Sequence, residues 1–204
     1  MAIPTHQVKE LRERTGAGIL DAKNALESTG GDMEQAIQIL REKGLAAAAK
    51  KATREAREGH VLAYIHGNPG RVGVLVEVNC ETDFVARTDD FRALVHNVAM
   101  QIAAANPQWV TDADVPADVM AHERATFEAQ LANDEANAKK PPQILAKIVD
   151  GKINKWLDES VLLRQPFIRD NDLTVSALVT NAIAELGENI VVRRFTRYEL
   201  GGEA

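Results

Sequence analysis

Gly59-His60-Val61-Leu62-Ala63-Tyr64-Ile65-His66-Gly67-Asn68-Pro69-Gly70-Arg71-Val72-Gly73-Val74-Leu75-Val76-Glu77-Val78-Asn79-Cys80 is the stretch that decides the fold class. Val61, Ala63 and Ile65 alternate with Leu62 and Tyr64, and Val72, Val74, Val76 and Val78 fall on one strand face. Between the two runs, Gly67-Asn68-Pro69-Gly70 combines the residues that favour a tight reversal. Period two on both sides of a turn predicts a β-hairpin.

Upstream of this hairpin the period is that of helices. Thr5, after Pro4, is placed to cap a first helix with Val8 and Leu11 on one face, and Thr15-Gly16 ends it. A second helix runs from Gly18 to Ser28 with Ile19, Ala22 and Leu26 at helical spacing, and Gly30-Gly31 breaks it. Asp32 caps a third, with Gln35 in capping-box position and a Met33, Ala36, Ile37, Leu40 stripe. Gly44 is expected to close this unit. Leu45 to Glu58, rich in alanine and in charge, reads as a solvated helical connector.

Downstream, Thr88 with Asp89 and Asp90 can open a helix carrying Phe91, Leu94, Val98 and Ile102, ending near Asn106-Pro107. An acidic stretch over 111–137 contains a helix from Ala117 to Leu131. Pro141-Pro142 begins a longer one, with Leu145, Val149, Ile153, Leu157 and Val161 in one row and Ile144, Ile148 and Trp156 in the next; Gln165-Pro166 is expected to stop it. A further helix spans Leu173 to Leu186, Gly187 ends it, and a last strand covers Asn189 to Leu200. The fold class is therefore α+β: an N-terminal three-helix module (1–45), a connector (46–58), and an α+β core (59–204) with a small antiparallel sheet and packed helices.

Charge divides at the same place. Residues 1–58 carry ten basic and nine acidic side chains, and the remainder fourteen and twenty-one, for a net charge of -6 over 204 residues. An acidic chain argues against a nucleic-acid coat, which needs a basic surface. One cysteine, Cys80, rules out an internal disulfide framework and a cysteine-rich metal site. Met1 to Arg14 lacks an apolar signal core and no apolar run reaches membrane-spanning length, so the chain is expected to be soluble, reduced and cytoplasmic.

Motifs for chemistry are missing. Gly16-x-Gly18 has Asp21 where a dinucleotide loop needs a third glycine, and it follows no strand. His122-Glu123 has Thr126 where a zinc-protease pattern needs its second histidine. Five histidines are scattered along the chain, and Cys80 reads as a buried structural thiol at the end of a strand face.

Glu77-Val-Asn-Cys-Glu-Thr-Asp-Phe-Val-Ala-Arg87 stands apart. The strand ends near Cys80 and no helix is expected before Thr88, which leaves Phe84 and Val85 in a connection among Glu81, Asp83 and Arg87. Phe84 either folds under to cap the core, the reading composition favours, or stands out as an aromatic wedge beside a carboxylate, as at a protein–protein hot spot.

Several stretches together resemble the elongation factor Ts family, the guanine-nucleotide exchange factors of bacterial elongation factor Tu. They are Val8-Lys-Glu-Leu-Arg-Glu-Arg-Thr-Gly-Ala-Gly-Ile-Leu-Asp-Ala-Lys-Asn-Ala-Leu26, Glu77 to Ala86, Gly151-Lys-Ile-Asn-Lys-Trp156, Leu162-Leu-Arg-Gln-Pro-Phe167 and Gly187-Glu-Asn-Ile-Val-Val-Arg-Arg-Phe195. The resemblance spans nearly the whole chain. It implies a ubiquitin-associated-like helical module, and a protein that binds elongation factor Tu, both GDP-bound and nucleotide-free. It further implies that Thr82, Asp83, Phe84 and Val85 enter the partner's GTPase domain near its magnesium and phosphate site and promote GDP release. Leu11, Arg12, Thr15, Gly16, Gly18 and Ile19 become candidate contacts of the helical module. Leu11 and Ile19 equally fit core stripes, and Gly16 a helix stop.

No catalytic residue, cofactor, metal, nucleic acid or membrane is implied. The core resembles the short members of the family, with one of the two related halves that longer members carry, which implies a homodimer. Lone Cys80, with Thr196 in the last strand, argues against an interchain disulfide. Relatives often carry a histidine where Gln101 stands, so no contact is carried over to that position. On residues alone, an interaction adaptor built on the helical module and a small α+β enzyme pairing Asp83 with a histidine remain open. The Phe84 motif disfavours the first, and the missing nucleophile and metal spacings disfavour the second.

Overall fold

The computed structural model describes residues 3–134 and 140–202. The end of the acidic stretch expected over 111–137 lies outside them. Two compact units result, Met1–Met100 with Ser176–Ala204, and Gln101–Val175.

The first unit begins with helices α1 (Thr5–Thr15), α2 (Ile19–Ser28) and α3 (Met33–Lys51). Val8, Leu11, Ala22, Ala25, Leu26 and Ala36 form their shared core, with Met33, Ile37 and Leu40 packed against it. The small Ala side chains let three short helices approach closely around two leucines. Asp32 caps α3, its carboxylate accepting the Gln35 N–H at 3.0 Å. Thr5 does not cap α1: the N-cap is Pro4, and no side chain bonds there.

Gly44 does not stop α3, which continues to Lys51, so only the first part of 46–58 is helical. A glycine inside a helix costs about 1 kcal/mol relative to alanine, and the alanine-rich sequence after it restores helical preference. Gly44 is buried where a side chain would meet Thr180 and Ala184 of a later helix at 3.7 and 4.0 Å.

The hairpin forms as expected, from β1 (Glu58–His66) and β2 (Val72–Cys80). Val74, Val76 and Val78 are buried on the inner face, while Leu75 is half-exposed on the outer one. Gly59 lies opposite Asn79 with φ 137°, and a β-carbon there would run into the Val78 carbonyl. After a one-turn helix α4 (Asp83–Ala86) comes α5 (Asp89–Ala105), with Phe91, Leu94, Val95 and Val98 buried. Tyr64 of β1 meets His96 of α5 edge-on, with ring centroids 5.4 Å apart.

In the second unit a 3-10 turn (Asp112–Asp114) precedes α6 (Ala117–Ala132) and α7 (Pro142–Ser160). Leu131, Val149, Ile153, Leu157 and Val161 form the core between these helices. Helix α7 ends at Ser160, short of Gln165-Pro166. The backbone turns extended at Val161 (φ -103°, ψ 117°), a 3-10 turn follows over Leu162–Arg164, and the Leu162 N–H donates to the Trp109 carbonyl at 2.8 Å. A small hairpin follows, β3 (Pro166–Phe167) with β4 (Asp170–Thr174), where no strand was expected.

Gln101 on α5 is fully buried and holds this hairpin. Its amide donates to Gln165 Oε1 at 3.1 Å and the Pro166 carbonyl at 3.2 Å, and its oxygen accepts the Ile168 N–H at 2.8 Å. Helix α8 begins at Val175 and runs to Leu186, because Leu173 and Thr174 are taken into β4. Strand β5 (Val191–Glu199) then completes an antiparallel sheet in the order β1-β2-β5.

Candidate functional site

The Glu81–Arg87 segment leaves the core abruptly. Cys80 is fully buried, and burial, followed by the nearby Glu188 charge, pushes its thiol up to about 11. At Thr82 the backbone is extended (φ -127°, ψ 154°), the conformation of a helix cap, and its hydroxyl accepts the Val85 N–H at 3.4 Å. The helix therefore opens at Asp83, five residues before Thr88, because Thr82 supplies a cap of its own. Thr88 then caps α5, accepting the Phe91 N–H at 3.3 Å.

Between the caps, Asp83 pairs with Arg87 at 2.7 Å across one helical turn. Asp83, Val85 and Ala86 are half-buried, and the turn lies beside β1 and β2. Phe84 is 78% exposed. The core-cap reading of this ring fails: the cap at Thr82 rotates the turn so that Phe84 faces solvent.

The second group of residues lies at the junction of α1 and α2. Gly16 ends α1 in the left-handed conformation (φ 68°), its N–H donating to the Arg12 carbonyl at 2.8 Å. Thr15 donates its hydroxyl to the Leu11 carbonyl at 2.6 Å and accepts the Ala17 N–H at 3.3 Å. Arg12 Nε donates to the Ala17 carbonyl at 3.1 Å. The junction is thus an ordered loop that presents Gly18 and an exposed Ile19, with exposed Leu20 beside it. Leu11 points the other way, fully buried in the module's core.

Glu185 of α8 stands beside the second group. Its carboxylate would lie 3.8 Å from a β-carbon at Gly16. Desolvation and then the charge of Asp90, at the start of α5, raise its pKa, and Arg12 opposes them. Two further carboxylates were not legible from local sequence. Glu81 and Glu188 bond to each other's neighbourhoods: Glu188 accepts from the backbone of Glu81 and Thr82, and Glu81 accepts from Asn189. Their only signal was that both fall in motifs of the resemblance. Among the described residues no group of three or more His, Cys, Asp or Glu is arranged to hold a metal ion, and no helix is long and apolar enough to cross a membrane.

The family model for elongation factor Ts matches residues 6–202. The chain is 57% identical over 199 residues to the elongation factor Ts of Carboxydothermus hydrogenoformans, covering 98% of this chain and 89% of that one. To that of Moorella thermoacetica it is 56% identical over 199 residues, 98% of this chain and 96% of that one. To that of Heliobacterium modesticaldum it is 58% identical over 194 residues, 95% and 88% of the two chains.

The chain belongs to the elongation factor Ts family. As an elongation factor Ts it is a translation elongation factor, the guanine-nucleotide exchange factor that works on elongation factor Tu. Exchange of this kind shifts a binding equilibrium and makes or breaks no covalent bond, which suits a site of presented side chains.

Proposed function

We propose that the chain accelerates GDP release by pressing the Thr82-Asp83-Phe84-Val85 turn into the GTPase domain of elongation factor Tu, near its magnesium and phosphate site. The observation that carries this reading is the exposure of Phe84, 78%, on a turn capped at its first residue. A large ring held outside the core costs apolar exposure, and it offers a ready anchor for a partner pocket. Magnesium offsets phosphate charge, so a partner conformation with the ion displaced holds nucleotide less tightly. A protein that binds this open form better than the closed one lowers nucleotide affinity by that difference, and incoming nucleotide expels it in return. Binding to both the GDP-bound and the nucleotide-free GTPase follows. No catalytic acid, base, metal or cofactor of this chain is needed, and it acts as no enzyme.

Residues 1–45 act in this reading as the ubiquitin-associated-like module, 46–58 as the connector, and 59–204 as the core and dimerisation domain. Arg12, Thr15, Gly16, Gly18 and Ile19 form the module's contact with the same GTPase domain, and buried Leu11 shapes their loop from beneath. Two copies complete the surface as a homodimer. The outer face of the β1-β2-β5 sheet supports this, since Val61, Ile65, Leu75 and Tyr198 are exposed on it. The acidic balance, net -6, supports a protein partner in the cytoplasm rather than nucleic acid or a membrane.

Stopped-flow release of fluorescent GDP from elongation factor Tu, with and without this chain, tests the exchange reading; release unchanged by the chain overturns it. Sedimentation over a concentration series tests the homodimer.

A further inference from the structure

The turn carrying Phe84 is too short to hold itself. A single helical turn fixes several dihedrals for few hydrogen bonds, so its formation alone is unfavourable. Its placement depends on what ties Thr82 to the rest of the fold, and the polar groups of Thr82 are all engaged. The Thr82 N–H donates to Glu188 Oε2 at 3.0 Å and the hydroxyl donates to Glu188 Oε1 at 2.6 Å. The hydroxyl oxygen accepts the Val85 N–H. The carbonyl accepts the Ala86 N–H at 3.2 Å and the Cys80 thiol at 3.2 Å.

The tie is returned from the other side. Glu188 Oε2 also accepts the Glu81 N–H at 3.0 Å, while Glu81 Oε1 accepts the Asn189 N–H at 2.6 Å. Arg54 pairs with Glu81 at 3.4 Å, and its carbonyl accepts the Asn189 side-chain amide at 2.8 Å. Residues 81–82, just after β2, and 188–189, just before β5, thus grip each other in both directions.

We propose that Glu188 is a positioning residue for nucleotide exchange, its carboxylate orienting the Thr82 hydroxyl as the cap of the turn that presents Phe84. The inference rests on the wedge reading of that turn. A hydroxyl has one proton and a carboxylate only accepts, so the Thr82 proton is committed to Glu188 and the oxygen's lone pairs are left for Val85 N–H. A bond to a charged acceptor is shorter and stronger than a neutral one, as the 2.6 Å contact is. Removing the carboxylate leaves three donors without an acceptor, all at the root of the turn. The β1-β2 register does not depend on it.

The test pairs amide hydrogen exchange of residues 81–86 in the full free chain with stopped-flow GDP release from elongation factor Tu. Glu188→Ala is expected to speed exchange at the Thr82, Val85 and Ala86 amides by about tenfold or more while β1 and β2 stay protected. It is expected to lower the maximal release rate by a similar factor, about tenfold, with a much smaller change in the half-saturating concentration. Glu188→Gln keeps an acceptor for the backbone N–H groups but turns the hydroxyl proton away, so it falls between wild type and Glu188→Ala on both readouts. Thr82→Val removes only the hydroxyl, so it is expected to speed exchange at the Val85 amide and slow GDP release while the Thr82 N–H stays bonded to Glu188; it carries the test of the cap if Glu188→Ala does not fold.

Wild-type protection over 82–86 in Glu188→Ala, or at Val85 in Thr82→Val where that variant stands in, overturns the inference. So does lost protection with wild-type GDP release, provided Phe84→Ala is slow. If Phe84→Ala itself releases GDP at the wild-type rate, the wedge reading fails instead, and the two failures are distinguishable.

Discussion

Cys80 and Phe84 stand four residues apart on opposite sides of the protein surface: the thiol has no exposed area, and the phenyl ring is 78% exposed. The chain passes from core to solvent within one capped turn. Tight anchoring below and apolar presentation above are separate properties, and substitutions separate them.

Phe84→Ala removes a ring that contributes little to the folded core. Its unfolding free energy is expected to change by less than about 0.5 kcal/mol, as for other exposed positions. Stimulated GDP release, measured by stopped flow, is expected to fall by roughly thirtyfold, the effect of removing a hot-spot aromatic worth about 2 kcal/mol.

Cys80 is held protonated by burial and by the Glu188 charge, with its pKa pushed up to about 11. The unfolded thiol titrates near ~8.5. The folded state therefore keeps a proton that the unfolded state gives up. The stability linked to this group is complete below the unfolded value and declines as pH rises through that window, by at most about 1.4 kcal/mol per pH unit. Urea unfolding at about pH 8 and about pH 10 is expected to show a steeper loss for the wild type than for Cys80→Ala. At the lower pH the native thiol resists alkylation and the unfolded one reacts.

Gln101→Leu keeps the approximate volume and removes the polar groups. The Ile168 N–H, Gln165 Oε1 and the Pro166 carbonyl then lose their bonds to Gln101. A buried group left unsatisfied costs about 1–3 kcal/mol; only the Gln165 bond is fully buried and the other two are part-buried, so a total loss of roughly 2–4 kcal/mol in urea unfolding is expected. GDP release stays near wild type at temperatures where the variant is folded, since Gln101 holds the β3–β4 hairpin and lies outside the Phe84 turn.

Two glycines answer oppositely to alanine. At Gly59, φ is 137° and the new β-carbon meets the Val78 carbonyl and, at 2.7 Å, Asn79 Cα. Gly59→Ala is expected to cost more than about 2 kcal/mol and to disturb the start of the hairpin. At Gly44 the new β-carbon meets Thr180 and Ala184 at ordinary contact distances, 3.7 and 4.0 Å, inside a helix. Gly44→Ala is expected to gain about 0.5–1 kcal/mol. Thermal melts of the two variants check both signs.

A glycine after an apolar stripe has the local appearance of a helix end, whereas Gly44 lies buried inside α3 beside Thr180 and Ala184 of α8. The β3–β4 hairpin is not legible in local sequence because Asp170-Asn-Asp172 has no strand character of its own, and Gln101 supplies part of its support from α5. The Glu81 and Glu188 clamp was invisible for a related reason. Each is one acid among thirty, and the partners lie more than a hundred residues apart.

Sequence by itself determined what depends on near neighbours: the valine alternation of β2, the Asp32 cap, the left-handed end of α1 at Gly16, and the motifs that placed the chain in its family. These follow from backbone sterics and from side chains bonding to amides a few residues away. Tertiary structure alone decided that α3 runs through Gly44, that Gln101 is buried, that Phe84 faces solvent, and that Glu188 holds the root of its turn. Each of those depends on which distant segment supplies a surface or a donor, and burial and hydrogen-bond satisfaction are settled only when such segments meet.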